Sequence, residues 1–242
     1  MVLASTKLPR FFLYDFSVCC LERFPMFLGN IYTTTFSLTE NPISEKGMWI
    51  NGGTTGLDWG NVQTTSGKVF GVSLPSQYGD PTAILTGTWN SDQQVQATVK
   101  IDTSQSACCH EVELRLRGTI TAHSITGYEI NCSVSNSSPY VQIVRWNGPR
   151  SNFTYVSTND STGCANGDVF KATISGSTIT VSKNGTQILQ GTDSTYRSGS
   201  PGIGFYDNQD SNWNYFGFSN FTATDLTSTQ GPPPTGLTAT VN

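Results

Sequence analysis

At 242 residues the chain is long enough to bury a sizeable core as one all-β domain. Only 12% of residues are charged and 36% are hydrophobic, with Ser, Thr, Asn and Gly filling much of the rest; this make-up argues against a helix-rich cytoplasmic enzyme and predicts an exported β-protein. The net charge is −4 with Lys and Arg scattered, so there is no basic stripe for nucleic-acid phosphates, and no apolar run of about eighteen residues exists to span a bilayer.

Residues 1–30 are rich in Phe, Leu and Cys and poor in Gly and Thr. The run 11–21, preceded by Lys7 and Arg10, resembles the apolar region of a signal peptide, yet Asp15 interrupts it and no small-residue cleavage site follows. The segment is expected to be a leader, an upstream extension or an arm that packs on a neighbouring surface. Strand composition begins at Ile31 and is broken at Asn41-Pro42. Short β-prone pieces then alternate with Gly-rich turns through Trp49 and Trp59, both expected to cover the edge of a core. Two further strands, over 83–89 and 94–101, are separated by a turn.

Residues 111–148 carry the clearest pattern. Val112, Leu114 and Leu116 share one face, and Glu113, Arg115 and Arg117 share the other. Tyr128, Ile130, Cys132 and Val134 likewise alternate with Glu129, Asn131 and Ser133. Period-two alternation of this kind marks half-buried antiparallel strands. It predicts a core on one face and a polar sheet surface with matched charges on the other.

Strands follow over 152–157, 169–174, 178–183, 187–190, 201–206 and 214–224, with Asn184-Gly185 a strong hairpin signal. About a dozen strands at this spacing predict a two-sheet antiparallel sandwich with no helix longer than a turn. Residues 227–242 carry a Pro-Pro-Pro run at 232–234, which reads as a stiff linker or extended tail.

The ordered segments GDVFKATISGSTITVSKNGTQIL, TDSTYRSGSPGIGFYDN and WNYFGFSNFTATDL resemble the closing half of concanavalin A-like, laminin G-like jelly-roll domains. As an architecture the likeness covers residues 31–226, and it implies an all-β, two-sheet antiparallel jelly-roll sandwich. The tail piece PPPTGLTATVN resembles the start of a fibronectin type III module. This superfold hosts lectins, carbohydrate-binding modules, glycosidases, lyases and adhesive modules, so function has to be argued from the site.

In such folds the polar sheet face is where a glycan cleft lies. Glu113, Arg115, Arg117, Glu129 and Asn131 are the candidate floor, with Trp213 and Tyr206 as candidate sugar-stacking aromatics from the late strands and loops. Trp146 shares a face with Gln142 and Val144 and reads as core. A catalytic set is harder to find. Glu111 and Glu113 have the alternate spacing of a glycosidase pair, but the Glu-x-Asp-x-x-Glu pattern of jelly-roll glucanases is incomplete, and Arg beside Glu is expected to lower its pKa. Glu113-Leu114-Arg115 and Gln142-Ile143-Val144 resemble alginate-lyase strands, with Val144 where that family has its His. The two histidines, His110 and His123, have no nucleophile motif nearby.

Asp207 and Asp210, in one oxygen-rich loop, and Asp225, near the last strand, are candidate ligands for a structural Ca2+. Among the six cysteines, Cys132 with Cys164, or Cys164 with Cys108 or Cys109, are the candidate disulfides, and a bond between the adjacent Cys108 and Cys109 is disfavoured. Of the N-x-Ser/Thr sequons, Asn136 and Asn159 are the better loop candidates for glycosylation. Together these readings predict an extracellular or cell-surface module that binds glycan or contributes adhesion. The alternatives are a structural subunit joined to other copies of itself by terminal strand addition, and a glycoside hydrolase or polysaccharide lyase.

Overall fold

The computed structural model describes residues 29–73, 79–104, 106, 108–207 and 213–226. All but the last two residues of the expected leader, the Pro-rich tail with its fibronectin-like piece, and Asp210 lie outside the described residues. The chain runs through β1 (Ile31–Thr34), β2 (Trp49–Asn51), a one-turn helix α1 (Gly52–Thr55), β3 (Asn61–Thr65), β4 (Lys68–Val72), β5 (Thr82–Leu85), β6 (Gln93–Ile101) and β7 (His110–Thr121). It continues through β8 (Ser124–Ser133), β9 (Val141–Gly148), β10 (Phe153–Asn159), β11 (Val169–Ser175), β12 (Thr178–Lys183), β13 (Thr186–Thr192), β14 (Ser200–Asp207) and β15 (Phe216–Asp225), with a 3-10 turn at Trp213–Tyr215.

Two antiparallel sheets form. One is ordered β13-β12-β11-β6-β15-β4-β3, with β1 also on β15; the other is ordered β10-β9-β8-β7-β14-β5-β2. The hairpin between β12 and β13 turns at Asn184 and Gly185, with φ of 52° and 82°, the left-handed pair that a type I′ turn requires. Alternation then sorts the side chains. Val112, Leu114, Leu116, Tyr128, Ile130 and Cys132 join Val95, Ala97, Phe170, Phe218 and Phe221 of the opposite sheet in one buried core. Each large apolar side chain removed from water there contributes about 1.5–3 kcal/mol, which is what holds the two layers together. Trp49 belongs to this core, as expected. Trp59 does not: it joins Leu57, Ile84, Ile120, Ile125, Val144 and Trp146 in a second, smaller cluster against the seven-stranded sheet.

The Cys132–Cys164 disulfide is formed, tying β8 to the loop before β11. Cys108 and Cys109 bond to each other, the arrangement the sequence reading disfavoured. The adjacent thiols lie in a turn just ahead of β7, where Cys109 takes a φ of 77°, so each sulfur finds its nearest partner in its own neighbour. Asn136 is exposed, whereas Asn159 ends β10 and donates its side-chain N–H to the Ile188 carbonyl at 2.8 Å, so the nitrogen that a glycan would take is engaged.

One irregularity matters for the polar face. The β7–β8 register shifts between Leu116 and Thr119. Arg117 sits in this bulge with a φ of 51°. An extra residue in one strand reverses the in-and-out order beyond it. The bulge is packed tightly by glycine: a Cβ on Gly127 or Gly199 would stand 2.5 or 2.4 Å from the Arg117 carbonyl group.

Candidate functional site

The outer face of the seven-stranded sheet holds a buried ionic cluster built around Arg115. Cross-strand register puts Arg115 of β7 opposite Glu129 of β8, and Glu113 opposite both Asn131 of β8 and Gly204 of β14. The absence of a side chain at Gly204 leaves the space the cluster fills, since a Cβ there would lie 2.2 Å from Glu113 Oε2 and 2.7 Å from Arg115 Nη2. Through that space Arg115 Nη2 reaches Asp80 Oδ1 at 2.6 Å and Thr82 Oγ1 at 2.8 Å, and also donates to Glu113. Nη1 donates to Glu129 Oε2 at 2.6 Å. The Trp59 ring covers the guanidinium carbon at 5.6 Å and helps to keep water out.

Three carboxylates around one guanidinium, with Glu111 close by, leave an excess of acid in a dry place. Burial pushes Glu111 up to about 8 and Asp80 up to about 7, with Glu129 adding repulsion to both. Glu113 is also held well above the usual carboxylate range, by burial first and then by Asp80 and Glu129. The expectation that a neighbouring Arg would lower the glutamate pKa is therefore overturned: desolvation and like charges outweigh one shared cation.

Above this floor lies a cleft of about 300 Å³ lined by Asp80, Glu111, Glu129, Asn131, Gln142 and Cys109, with Tyr140, Trp146, Phe153, Tyr155 and Tyr206 among its walls. Register explains the aromatic wall. Phe153 and Tyr155 of the edge strand β10 stand opposite Trp146 and Val144 of β9, so all four project to one side. The Trp146 ring lies 5.2 Å from Phe153 and 4.6 Å from Trp59, and its indole N–H donates to Glu129 at 2.5 Å. Tyr155 remains 56% exposed, a broad apolar surface presented to solvent. The Tyr140 hydroxyl donates to Glu111.

Of the residues expected to form the floor, Glu113, Arg115, Glu129 and Asn131 come together, and Tyr206 lines the same cleft. Arg117 does not. The bulge turns it away, and it donates to the carbonyls of Ser91, Tyr196 and Gly176 at 2.6–2.8 Å in a separate depression. Trp213 is buried in the core, its indole over Gly71 and Gly79, and offers no face to a ligand. Trp146, read as core, is buried in the smaller apolar cluster and also lines the cleft. Phe153, Tyr155 and Tyr140 were missed by the sequence reading; the alternate spacing of Phe153 and Tyr155 on an edge strand was the available signal.

Asp80, Glu113 and Glu129 bring carboxylate oxygens within 4.8 Å of one another, a spacing that could hold an ion. In this structure the positive charge among them is the Arg115 guanidinium. Of the expected calcium ligands, Asp207 and Asp225 lie elsewhere. Asp225 accepts the backbone N–H groups of Asn30 and Asn90 at 2.9 and 2.8 Å, and Asp207 lies 3.5 Å from the His110 ring nitrogen.

Chemically, the cleft combines stacking surface with hydrogen-bonding groups. Glu111 retains its proton at neutral pH and is able to donate it. A second carboxylate with open oxygens, as retaining hydrolysis requires, is not supplied by Glu129, whose oxygens receive Arg115, Trp146 and Asn131.

Two packed antiparallel sheets with a cleft on the outer face of one define a concanavalin A-like jelly-roll sandwich. No family model matches the chain, and no curated protein matches it. Among solved structures it is similar to the carbohydrate-binding module CBM66 from Bacillus subtilis, at 14% identity and a TM-score of 0.52 over 76% of this chain and 95% of that one. It is also similar to the metal-free carbohydrate recognition domain of Emp46p (10% identity, TM-score 0.54, 78% and 93% covered) and to the β-glucanase of Bacillus licheniformis (12%, 0.53, 82% and 99%). At these identities the likeness shows the fold. Among the described residues no helix is long and apolar enough to cross a membrane.

Proposed function

We propose that this protein is a carbohydrate-binding module whose glycan lies in the cleft over β7, β8 and β9, with its apolar sugar face on the exposed Phe153 and Tyr155 rings, which the buried Trp146 backs. The observation that carries the reading is the pairing of those rings with a floor of carboxylates and amides in one cavity. A pyranose has an apolar C–H face and a rim of hydroxyls, so it is matched by an aromatic platform next to converging polar groups. The fold's similarity to sugar-binding structures supports it. The Cys132–Cys164 bridge supports an extracellular or cell-surface setting, since disulfides persist in oxidising compartments. Structural calcium has less support, because the Arg115 guanidinium already stands among the acidic triad. Assembly by strand addition draws on termini outside the described residues.

On a panel of soluble and arrayed glycans the protein is expected to bind at least one class, and Tyr155→Ala to weaken that binding by about tenfold, the effect of about 1.4 kcal/mol of lost stacking. Tyr155 is exposed, so the substitution is expected to leave the thermal midpoint close to wild type. Binding unaffected by Tyr155→Ala, or none to any glycan, would remove the reading.

A further inference from the structure

One end of the cleft is closed by a bond that chemistry can open. Cys109 lines the cleft two residues ahead of Glu111, and it is bonded to Cys108. Tyr140 and Tyr206 belong to the same end: the Tyr140 hydroxyl donates to Glu111, and Tyr206 stands opposite Glu111 in the β14–β7 register. The disulfide is therefore part of the surface that a bound glycan meets.

The two disulfides differ in access. Cys132 is fully buried and Cys164 is 6% exposed, so their bond is sealed in the main core. Cys108 is exposed and Cys109 half-buried. Exchange requires a thiolate to reach one of the two sulfurs, so access decides which bond a reductant opens first. Opening this one also releases the wall. Cys109 has a φ of 77°, which a residue other than glycine seldom adopts. The chain is held on both sides, because the His110 carbonyl accepts the Val134 N–H at 2.9 Å and the Ser106 carbonyl accepts the Ser135 and Ser137 hydroxyls. Without the bond Cys109 is free to return to negative φ, and the change falls between these anchors, at the cleft.

We propose that the Cys108–Cys109 disulfide is a redox switch on the cleft: closed, it completes the glycan-binding surface, and reduced by a dithiol, it lowers affinity. A thiolate of the dithiol attacks the exposed Cys108 sulfur, and the Cys108–Cys109 bond breaks with Cys109 leaving as thiolate. The second thiolate then displaces Cys108 from the mixed disulfide. Two electrons and the two protons of the dithiol end on the cysteines, and the reagent becomes a cyclic disulfide. This inference rests on the glycan-binding reading and adds regulation of that same site.

The test is a dithiothreitol series in which each disulfide is followed by alkylation and peptide mass spectrometry. Affinity for the oligosaccharide that binds most tightly on the glycan panel is measured at each step by isothermal titration. Cys108–Cys109 is expected to open at a dithiothreitol concentration at least about tenfold below that required for Cys132–Cys164. Affinity is expected to fall by about tenfold as it opens and to recover on reoxidation, with the thermal midpoint retained. Joint replacement Cys108→Ser and Cys109→Ser, checked for folding in the same way, is expected to bind as weakly as the reduced protein and to ignore dithiothreitol. Unchanged affinity with Cys108–Cys109 reduced would overturn the inference and leave glycan binding standing. Loss of binding that follows Cys132–Cys164 instead would do the same. Binding of no glycan in the oxidised protein would overturn both.

Discussion

Replacing Arg115 with Met is expected to lower stability by about 3–5 kcal/mol at pH 7, the scale on which removal of one partner destabilises a buried ionic cluster. Domains are stable by only about 5–15 kcal/mol in total, so folded yield falls with it. The reason is local. Among the described residues Arg115 is the single cation in contact with Asp80, Glu113 and Glu129, all buried, and methionine fills the volume but leaves their charge uncompensated. The deficit is expected to shrink at pH 5, where the acids take up protons and need no counter-ion. Urea unfolding of both proteins at pH 5 and pH 8 measures this. A midpoint matching wild type at pH 8 would show that the cluster is not held by the guanidinium.

The intact protein is expected to become less stable as pH rises from about 4 toward 8, the reverse of the usual acid-sensitive pattern. Glu111 and Asp80 titrate at about 8 and about 7 when folded, and Glu113 is also raised. In the unfolded chain these groups titrate near 4. Between those values the folded state binds more protons than the unfolded one, so stability is fully present below about pH 4 and is lost as pH passes through the folded values. Asp102 and Asp193 are shifted downward, by their Lys68 and Lys100 contacts and by hydrogen bonds from Thr195, Tyr128 and Arg145 respectively, and they act in the opposite direction. Their contribution is complete by about pH 4, so the buried acids govern the range above it. Thermal midpoints at pH 5, 6.5 and 8 are expected to decline in that order, and Glu111→Gln to flatten the upper part. A midpoint rising across this range would contradict the description of the cluster.

Much of this arrangement is legible in the chain. The alternation over β7 and β8 places Glu113, Arg115, Glu129 and Asn131 together because side-chain direction in a strand depends only on parity. The same logic fails at Arg117, where one extra residue at the bulge reverses parity; the glycines that accommodate it, Gly127 on β8 and Gly199 just ahead of β14, carry no signal of their own. Asp80 is invisible to such reasoning because it arrives from the chain ahead of β5, thirty-five residues from Arg115. Trp213 has polar neighbours in sequence and reads as a surface residue, yet tertiary packing buries it. Composition implied nothing about the electrostatics: the effect of Arg115 on its carboxylates depends on how dry the site is, which only the fold decides.

Trp146 reports on the cleft directly, because its indole N–H points at Glu129 while Trp49, Trp89 and Trp213 lie in the main core. Nitrogen-15 spectra of the indole N–H groups, recorded while titrating the oligosaccharide that binds most tightly on the glycan panel, test the binding site itself. The Trp146 resonance is expected to shift strongly and saturably, with those of Trp49, Trp89 and Trp213 little changed. Saturation of the protein with no movement at Trp146, or with shifts confined to the core tryptophans, would contradict binding in this cleft.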